Sequence, residues 1–188
     1  MFSRDLVVMD IESTGLDVRK NEVLQIAAIR LDKNTLQEVA RFSTYVRPTN
    51  WENQDPKAMA VNGIPHELVK TAPTVTEVLE QFEAAFPANE VLLAAYNAWF
   101  DMTFFKQMYM KTERVNPYDF HCFDIWGLAY MFWSKEVRTP NPKQPIGFNL
   151  ADMAALLEVP TPEGGKFHDA LVDTEVTVEI LRRLVIKL

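Results

Sequence analysis

Two carboxylates separated by a single residue, Asp10 and Glu12, close a short apolar run near the start of the chain. Residues 6–11 have the nearly continuous apolar pattern of a buried strand, and residues two apart in a strand point to the same face. Both carboxylates can therefore meet one cation or a pair of cations. The pattern Asp-x-Glu is common, however, and a solvated strand end with two exposed acids accounts for it at least as well.

The segment after these acids, residues 13–16, favours a ligand site. Gly15 permits a tight turn that brings backbone N–H groups near a bound molecule. Leu16 is an apolar residue in a polar loop. Its side chain can contact a ligand, or it can pack against the core.

A third candidate is Asp101, which follows a predicted buried strand of residues 91–95 and falls in the first turn of a predicted helix. An acid there can simply favour the helix dipole. It can equally be a metal ligand, because helix starts beside strand ends are common active-site positions in α/β folds. The neighbouring Phe100, Phe104 and Phe105 are expected in the core, although one that faces a cleft would offer a stacking surface for a base.

His168 and Asp173 form the last candidate pair, five residues apart near a predicted final helix. On a regular helix five residues turn through about 500°, which leaves two side chains about 140° apart. The two residues can serve one site only if His168 precedes the helix, in the turn after Gly164 and Gly165. The alternative is a histidine that merely caps the helix or packs beside it.

The order of these five residues strengthens their assignment to one site. Two acids lie on the first strand, one acid opens a middle helix, and His and Asp lie at the last helix. Four carboxylates with one histidine suit hard cations such as Mg²⁺ or Mn²⁺ rather than Zn²⁺. Two such ions can clamp the attacking and leaving oxygens of a phosphodiester. A histidine changes its protonation state near neutral pH, so His168 is the expected general base.

The sequence resembles the DnaQ-like (DEDDh) 3′→5′ exonucleases of the RNase H-like superfamily. The segments that carry the resemblance cover nearly the whole chain and are residues 8–16, 61–64 with 72–74, 97–101 and 168–173. Each segment alone is moderate evidence, and their order and spacing make the likeness specific.

The resemblance implies an α/β, RNase H-like fold with a five-stranded mixed sheet flanked by helices. It also implies that Asp10 bridges two divalent cations, that Glu12 and Asp173 complete one metal site, and that Asp101 serves the other. His168 is the general base by the same likeness.

The resemblance further implies contacts with the terminal nucleotide, including contacts from backbone groups near Thr14 to its 3′ end. The implied substrate-binding residues are Thr14, Leu16, Ala58, Val61, Tyr96, Asn97 and Phe100. The chain departs from the family at Tyr96 and Asn62, where many relatives have histidine. Neither position is a metal ligand in the family, so these departures affect the expected substrate preference and not the chemistry.

The elements that must position these residues follow from periodicity and turn residues. Strands are predicted at residues 6–11, 22–31 and 36–46, forming an antiparallel meander, and at 91–95. Helices are predicted at 55–61, 75–86, 99–111, 124–133, 150–158 and 170–186, with a loop at 138–147. Thr74 and Glu77 have the spacing of a capping box, and Asn149 is a good N-cap.

The composition fits one soluble globular domain, residues 1–188, with 48% hydrophobic and 24% charged residues. The single cysteine, Cys122, cannot form an internal disulfide and fits a reducing compartment. The N-terminus lacks a signal-peptide pattern, and no apolar stretch reaches the roughly 20 residues of a membrane helix. We therefore predict a cytoplasmic protein with no membrane contact.

A net charge of −7 argues against a protein that coats duplex nucleic acid, because such binders neutralise many phosphates with Lys and Arg. Two bound divalent cations would reduce −7 to −3, and the metals would set the field at the site. An acidic nuclease is therefore compatible with this charge. A single-stranded or frayed 3′ end is the expected substrate form.

The predicted function is a metal-dependent 3′→5′ exonuclease that releases nucleoside monophosphates, with DNA slightly favoured over RNA. A catalytically inactive nuclease fold that binds nucleic acid or protein is the main alternative, and a phosphatase-like hydrolase of free nucleotides is another. A homodimer and association with a polymerase both stay open. The aromatic-rich residues 126–133 could face a partner, but core packing is the expectation.

Overall fold

The structure of the chain is a computed structural model that describes residues 2–136, 147–162 and 165–187. The expected loop at residues 138–147 lies outside the described residues except for Gly147, and so does Gly164 of the expected glycine turn. None of the described helices combines the length and apolar character that crossing a membrane requires.

A mixed sheet forms the centre of the fold, as expected. Its strands are β1 Asp5–Ser13, β2 Val23–Leu31, β3 Glu38–Tyr45, β4 Val91–Ala95 and β5 Phe123–Asp124. They lie in the order β3-β2-β1-β4-β5. The first three strands pair antiparallel, which confirms the predicted meander, whereas β4 pairs parallel with β1 and with β5. The carboxyl ends of β1, β4 and β5 therefore share one edge of the sheet.

Helices connect and cover these strands. They are α1 Pro56–Asn62, α2 His66–Val69, α3 Val75–Ala85, α4 Ala98–Lys111, α5 Ile125–Glu136, α6 Leu150–Leu156 and α7 Ala170–Lys187. A short 3-10 helix, Trp51–Asn53, precedes α1. The predicted capping box of α3 is present, with both the Thr74 and the Glu77 side chains bonded to backbone N–H groups. Asn149 caps α6 by accepting the N–H of Asp152.

Alternation along β1 produces two apolar layers, one on each face of the sheet. Leu6 and Val8 point into a cluster with the buried side of α7. Val7 and Met9 point into the other cluster, with α3 and α4. Both faces of β1 are therefore buried, and its far end is the place where polar side chains meet.

Several elements differ from the predictions. The two-residue strand β5 was not predicted, because the helix was expected to begin at Asp124, which instead pairs with Ala95. The short α2 was also missed, since four residues hold too little periodicity to predict. The expectation that residues 126–133 pack into the core is only partly right. Ala129 and Phe132 are buried, whereas Trp126 and Tyr130 are exposed.

Candidate active site

Asp10 and Glu12 continue the face of β1 that carries Leu6 and Val8, because side chains two apart in a strand share a face. That face is covered by α7, which packs against β1 and β2. Asp173 lies in the first turn of α7. The carboxyl end of β1 and the start of α7 therefore bring three carboxylates to one place.

Asp101 reaches the same place from the first turn of α4. The pairing of β4 with β1 extends only to Val8 and Ala94, so the N–H of Ile11 lies beyond it. The Oδ1 atom of Asp101 accepts this N–H at 3.1 Å, and the residue is 3% exposed. The N–H of Ile11, which lies beyond the paired part of β1 and β4, thus fixes the position of the Asp101 carboxylate.

His168 precedes α7, as its spacing from Asp173 required. Its backbone is in the left-handed region, with φ 68°. Its N–H donates to Oδ2 of Asp173 at 3.1 Å. Ligand-type atoms of Glu12, His168 and Asp173 lie within 4.8 Å of one another. The imidazole and the carboxylates therefore belong to one cluster.

The cluster forms one wall of a cavity of about 400 Å³. Apolar side chains also line this cavity, namely Leu16, Ala58, Val61 and Phe100, as do Tyr96 and Asn97. Leu16 is 76% exposed, so it projects from its loop and does not pack into the core. The structure brings together all the predicted site residues except Thr14.

Thr14 is fully buried and does not line the cavity. Its N–H donates to the carbonyl of Glu22 at 2.8 Å, and its hydroxyl accepts the N–H of Glu22 at 2.9 Å. The structure therefore does not place Thr14 in the cavity lining, and a contact from backbone groups near Thr14 to a 3′ end stays a prediction. Ser13 lines the cavity in its place.

Four further lining residues were not among the predicted site residues, namely Ile11, Asp55, Lys57 and Asn62. Lys57 lies on α1, four residues before Val61, and both line the cavity. That helical spacing was the signal that could have identified Lys57. Asn62 donates from Nδ2 to the Ser13 carbonyl at 3.1 Å and so joins the end of α1 to the end of β1.

The electrostatics of the cluster favour cations or protons. Burial, followed by the charges of Asp101, Asp173 and Glu12, raises the pKa of Asp10 well above its usual 3.8. Burial also raises the pKa of Asp101 well above that value, against the opposing bond from Ile11. Four acids held this close, in a partly dehydrated site, repel one another when all are ionised.

The pKa values of Glu12 and Asp173 are raised as well. Burial, with the nearby charges of Asp173 and Asp169, raises the pKa of Glu12 from 4.5 to about 8. Burial raises the pKa of Asp173 from 3.8 to about 6, and the N–H of His168 partly opposes that rise. The site therefore holds more negative charge than its surroundings compensate.

The donor set fits divalent metal ions. The buried Oδ1 of Asp173 has no hydrogen-bond partner among the described residues, and a buried acceptor left unpaired costs stability. Four carboxylates and one imidazole supply the oxygen-rich coordination that Mg²⁺ and Mn²⁺ prefer. Asp10, Glu12, Asp101 and Asp173 are the side chains that could hold such ions.

Known proteins are similar to this chain in sequence. The family model for RNase T, described as exonuclease, matches residues 7–181. A DNA polymerase III PolC-type of Clostridium perfringens is 36% identical over 185 residues, covering 96% of this chain but 11% of that protein. Ribonuclease T of an Enterobacter species is 27% identical, covering 95% of this chain and 80% of the relative.

A solved structure has the same fold. Exonuclease I of E. coli, in complex with a dT13 oligonucleotide, superposes with a TM-score of 0.78 over 97% of this chain and 41% of that one, at 19% identity. The five-stranded sheet in the order 3-2-1-4-5 with flanking helices is thus the RNase H-like fold of exonucleases. With the family model matching nearly its full length, this chain belongs to the exonuclease family of RNase T, within the DnaQ-like group.

Proposed function

We propose that this chain is a metal-dependent 3′→5′ exonuclease that releases nucleoside 5′-monophosphates from single-stranded or frayed 3′ ends. The observation that carries the proposal is the convergence of Asp10, Glu12, Asp101, Asp173 and His168 on one wall of a single cavity. The raised carboxyl pKa values and the unpaired Oδ1 of Asp173 support a role for these acids in binding cations.

The metal site and the apolar part of the cavity would have different roles in the reaction. Two divalent cations held by the four carboxylates would polarise the phosphodiester and offset the charge that develops on its oxygens. Leu16, Ala58, Val61 and Phe100 would hold the sugar and base of the terminal nucleotide against their apolar surface. This contact would orient the scissile phosphate toward the acids.

His168 would act as the general base. It lies beside Glu12 and Asp173, and its exposed side chain can reach water. The imidazole takes a proton from the attacking water as the new O–P bond forms. The P–O3′ bond then breaks, the shortened strand keeps a 3′-hydroxyl that takes a proton from solvent, and the released nucleotide carries a 5′-phosphate.

The relatives support different substrates. Exonuclease I was solved with a DNA oligonucleotide, whereas another relative is named a ribonuclease. We favour DNA slightly, because the PolC-type relatives are named as DNA polymerases. The same name supports association with a polymerase as a partner. Sedimentation of the purified chain, alone and with a polymerase subunit, would separate this partnership from a homodimer.

The test uses matched labelled oligonucleotides: single-stranded DNA, duplex DNA and short RNA, each with Mg²⁺, with Mn²⁺ and with EDTA. We expect stepwise release of mononucleotides from the 3′ end of a 5′-labelled single strand, and none in EDTA. Activity that persists in EDTA, or release from the 5′ end, would overturn the proposal. Free nucleotides serve as the control for a phosphatase, and a chain that binds oligonucleotides without cleaving them would be an inactive binding module.

A further inference from the structure

Lys57 is the only lysine or arginine among the described residues that line the catalytic cavity. It lies on α1 directly before Ala58 and four residues before Val61, so it is a neighbour of the apolar part of the lining. In the part of the chain that the structure describes, Lys57 makes no salt bridge with a carboxylate, whereas Lys70 and Lys111 each do. Its ammonium group is therefore available to a charge that a ligand brings.

Asp55 is the carboxylate nearest to Lys57 along the chain, and it also lines the cavity. Its Oδ1 accepts the backbone N–H of Lys57 at 2.9 Å and so caps the start of α1. Asp55 thus holds the backbone of Lys57, and no ion pair joins the two side chains. The cap fixes the place of Lys57 in the lining and leaves its ammonium group uncommitted.

Two hydroxyl groups of the lining are already committed within the chain. The hydroxyl of Ser13 donates to the carbonyl of Gly15 at 2.7 Å, and that of Tyr96 donates to the carbonyl of Phe148 at 2.9 Å. Neither hydrogen is free for a bound nucleotide. Lys57 is therefore a strong donor in a part of the cavity where other donors are occupied.

The charge of Lys57 has no counterpart in an ordinary terminal nucleotide. The scissile phosphate would be bound by the cations that the four carboxylates hold. The sugar and the base are neutral near pH 7, and when they fill the apolar part of the cavity they remove water from around Lys57. Removing water from an unpaired charge costs free energy. A second phosphate, on the 3′ oxygen of the same nucleotide, would supply the missing partner.

We propose that the catalytic cavity also accepts strands that end in a 3′-phosphate, and that Lys57 pairs with this terminal phosphate. The inference rests on the proposed exonuclease function and adds a substrate class to the same site. Water attacks the phosphorus between the last two nucleotides, and His168 takes a proton from that water. The bond from phosphorus to O3′ of the penultimate nucleotide breaks, and this O3′ takes a proton from solvent. The terminal nucleotide leaves as a nucleoside 3′,5′-bisphosphate, with its 3′-phosphate bonds unchanged.

The experiment compares two 5′-labelled oligothymidylates of equal length, one ending in a 3′-hydroxyl and the other in a 3′-phosphate. We measure kcat/KM for the first cleavage of each strand with Mg²⁺ or Mn²⁺ and identify the released nucleotide by mass spectrometry. The wild type should cleave both strands and release thymidine 3′,5′-bisphosphate first from the phosphorylated one. Lys57→Gln should lower the ratio of kcat/KM on the phosphorylated strand to that on the hydroxyl strand by about 10-fold, the scale of one charge-assisted contact.

Two further variants sharpen this comparison. Lys57→Glu should lower the ratio further, because a carboxylate at this position repels the terminal phosphate. Lys33→Gln is the matched control and should keep the wild-type ratio. Lys33 follows the end of β2 that pairs with the start of β1, whereas Asp10 and Glu12 lie near the other end of β1. Because the ratio compares two strands on one preparation, a partly unfolded variant does not alter it.

Each outcome has a distinct meaning. A wild type that cleaves the hydroxyl strand but not the phosphorylated one would overturn the proposal and leave the exonuclease function standing. Initial release of inorganic phosphate would also overturn it, since that product indicates a 3′-phosphatase. A ratio that is unchanged in Lys57→Gln, or that falls equally in Lys33→Gln, would remove Lys57 from the contact. A wild type that cleaves neither strand would reject the exonuclease function itself, and this inference with it.

Discussion

The backbone N–H of His168 donates to Oδ2 of Asp173 at 3.1 Å, so the proposed base and a proposed metal ligand are joined by one hydrogen bond. The bond depends on the left-handed backbone of His168, which folds the residue back over the start of α7. It occupies one oxygen of Asp173 and leaves Oδ1 without a partner among the described residues. The same carboxylate can therefore orient the histidine loop and hold a cation.

The first prediction concerns His168→Asn. Asparagine tolerates the left-handed backbone better than most residues, so the turn and its bond to Asp173 should persist while the base is lost. We expect kcat to fall by about 10²–10⁴-fold. Calorimetric titration with Mn²⁺ should still detect binding, because the four carboxylates remain. A variant that retains wild-type turnover at pH 7 would remove His168 from the mechanism.

The second prediction concerns the metal ligands. Asp10→Asn and Asp173→Asn should each lower kcat by about 10²–10³-fold or more, the cost of deleting one preorganised electrostatic contact. Both should also raise the melting temperature in EDTA, because each removes a charge from a cluster whose members raise one another's pKa. Thermal melts with and without Mg²⁺ check both parts.

Loss of activity accompanied by loss of stability in EDTA would indicate a structural role for these two acids instead. Glu83→Gln is a suitable comparison. Glu83 lies on α3, pairs with Arg114 and does not line the cavity. That variant should not gain stability.

The third prediction is a pH dependence of stability in the metal-free protein. Folding raises the pKa of Asp173 from 3.8 to about 6 and that of Glu12 from 4.5 to about 8. A carboxyl with a raised folded pKa contributes stability that is complete below its unfolded pKa and is lost as pH rises through its folded pKa. The melting temperature in EDTA should therefore fall between about pH 5 and pH 8, by several degrees.

Carboxyls with a lowered pKa, such as Glu22, are already ionised in that range and should not reverse the trend. Glu12→Gln should flatten the upper part of the profile, near pH 8. Saturating Mg²⁺ should also remove the decline, since bound cations replace the protons. A profile that rises steadily from pH 5 to pH 8 in EDTA would contradict the repulsion inferred for the cluster.

The fourth prediction separates Phe100 from its neighbour. Phe100 lines the cavity, and its ring centroid lies 5.0 Å from that of Phe104, which is buried and absent from the lining. Phe100→Leu should keep much of the apolar packing but lose aromatic stacking. Binding of the terminal nucleotide should therefore weaken by about 1–3 kcal/mol. Phe104→Leu should lower the melting temperature and leave KM unchanged. Kinetics beside thermal melts distinguish the two, and equal KM values for both variants would reject the stacking contact.

The sequence by itself determined the parts that depend on local spacing. Asp10 and Glu12 had to share a face because they are two apart in a strand. The five-residue spacing between His168 and Asp173 excluded a shared helix face, and His168 indeed precedes α7. The capping box of Thr74 and Glu77 was predictable for the same reason, since all its bonds lie within one helical turn.

Only the tertiary structure decided which groups meet across the fold. The place of Asp101 depends on where β4 stops pairing with β1, so that Asp101 accepts the N–H of Ile11. Thr14 lies outside the cavity lining because Glu22, just before β2, accepts its N–H and donates its own N–H to the Thr14 hydroxyl. Lys57 lines the same cavity as the acids because its helix, α1, is tied to the end of β1. Contacts between residues so distant along the chain depend on sheet register and helix docking, which no local pattern encodes.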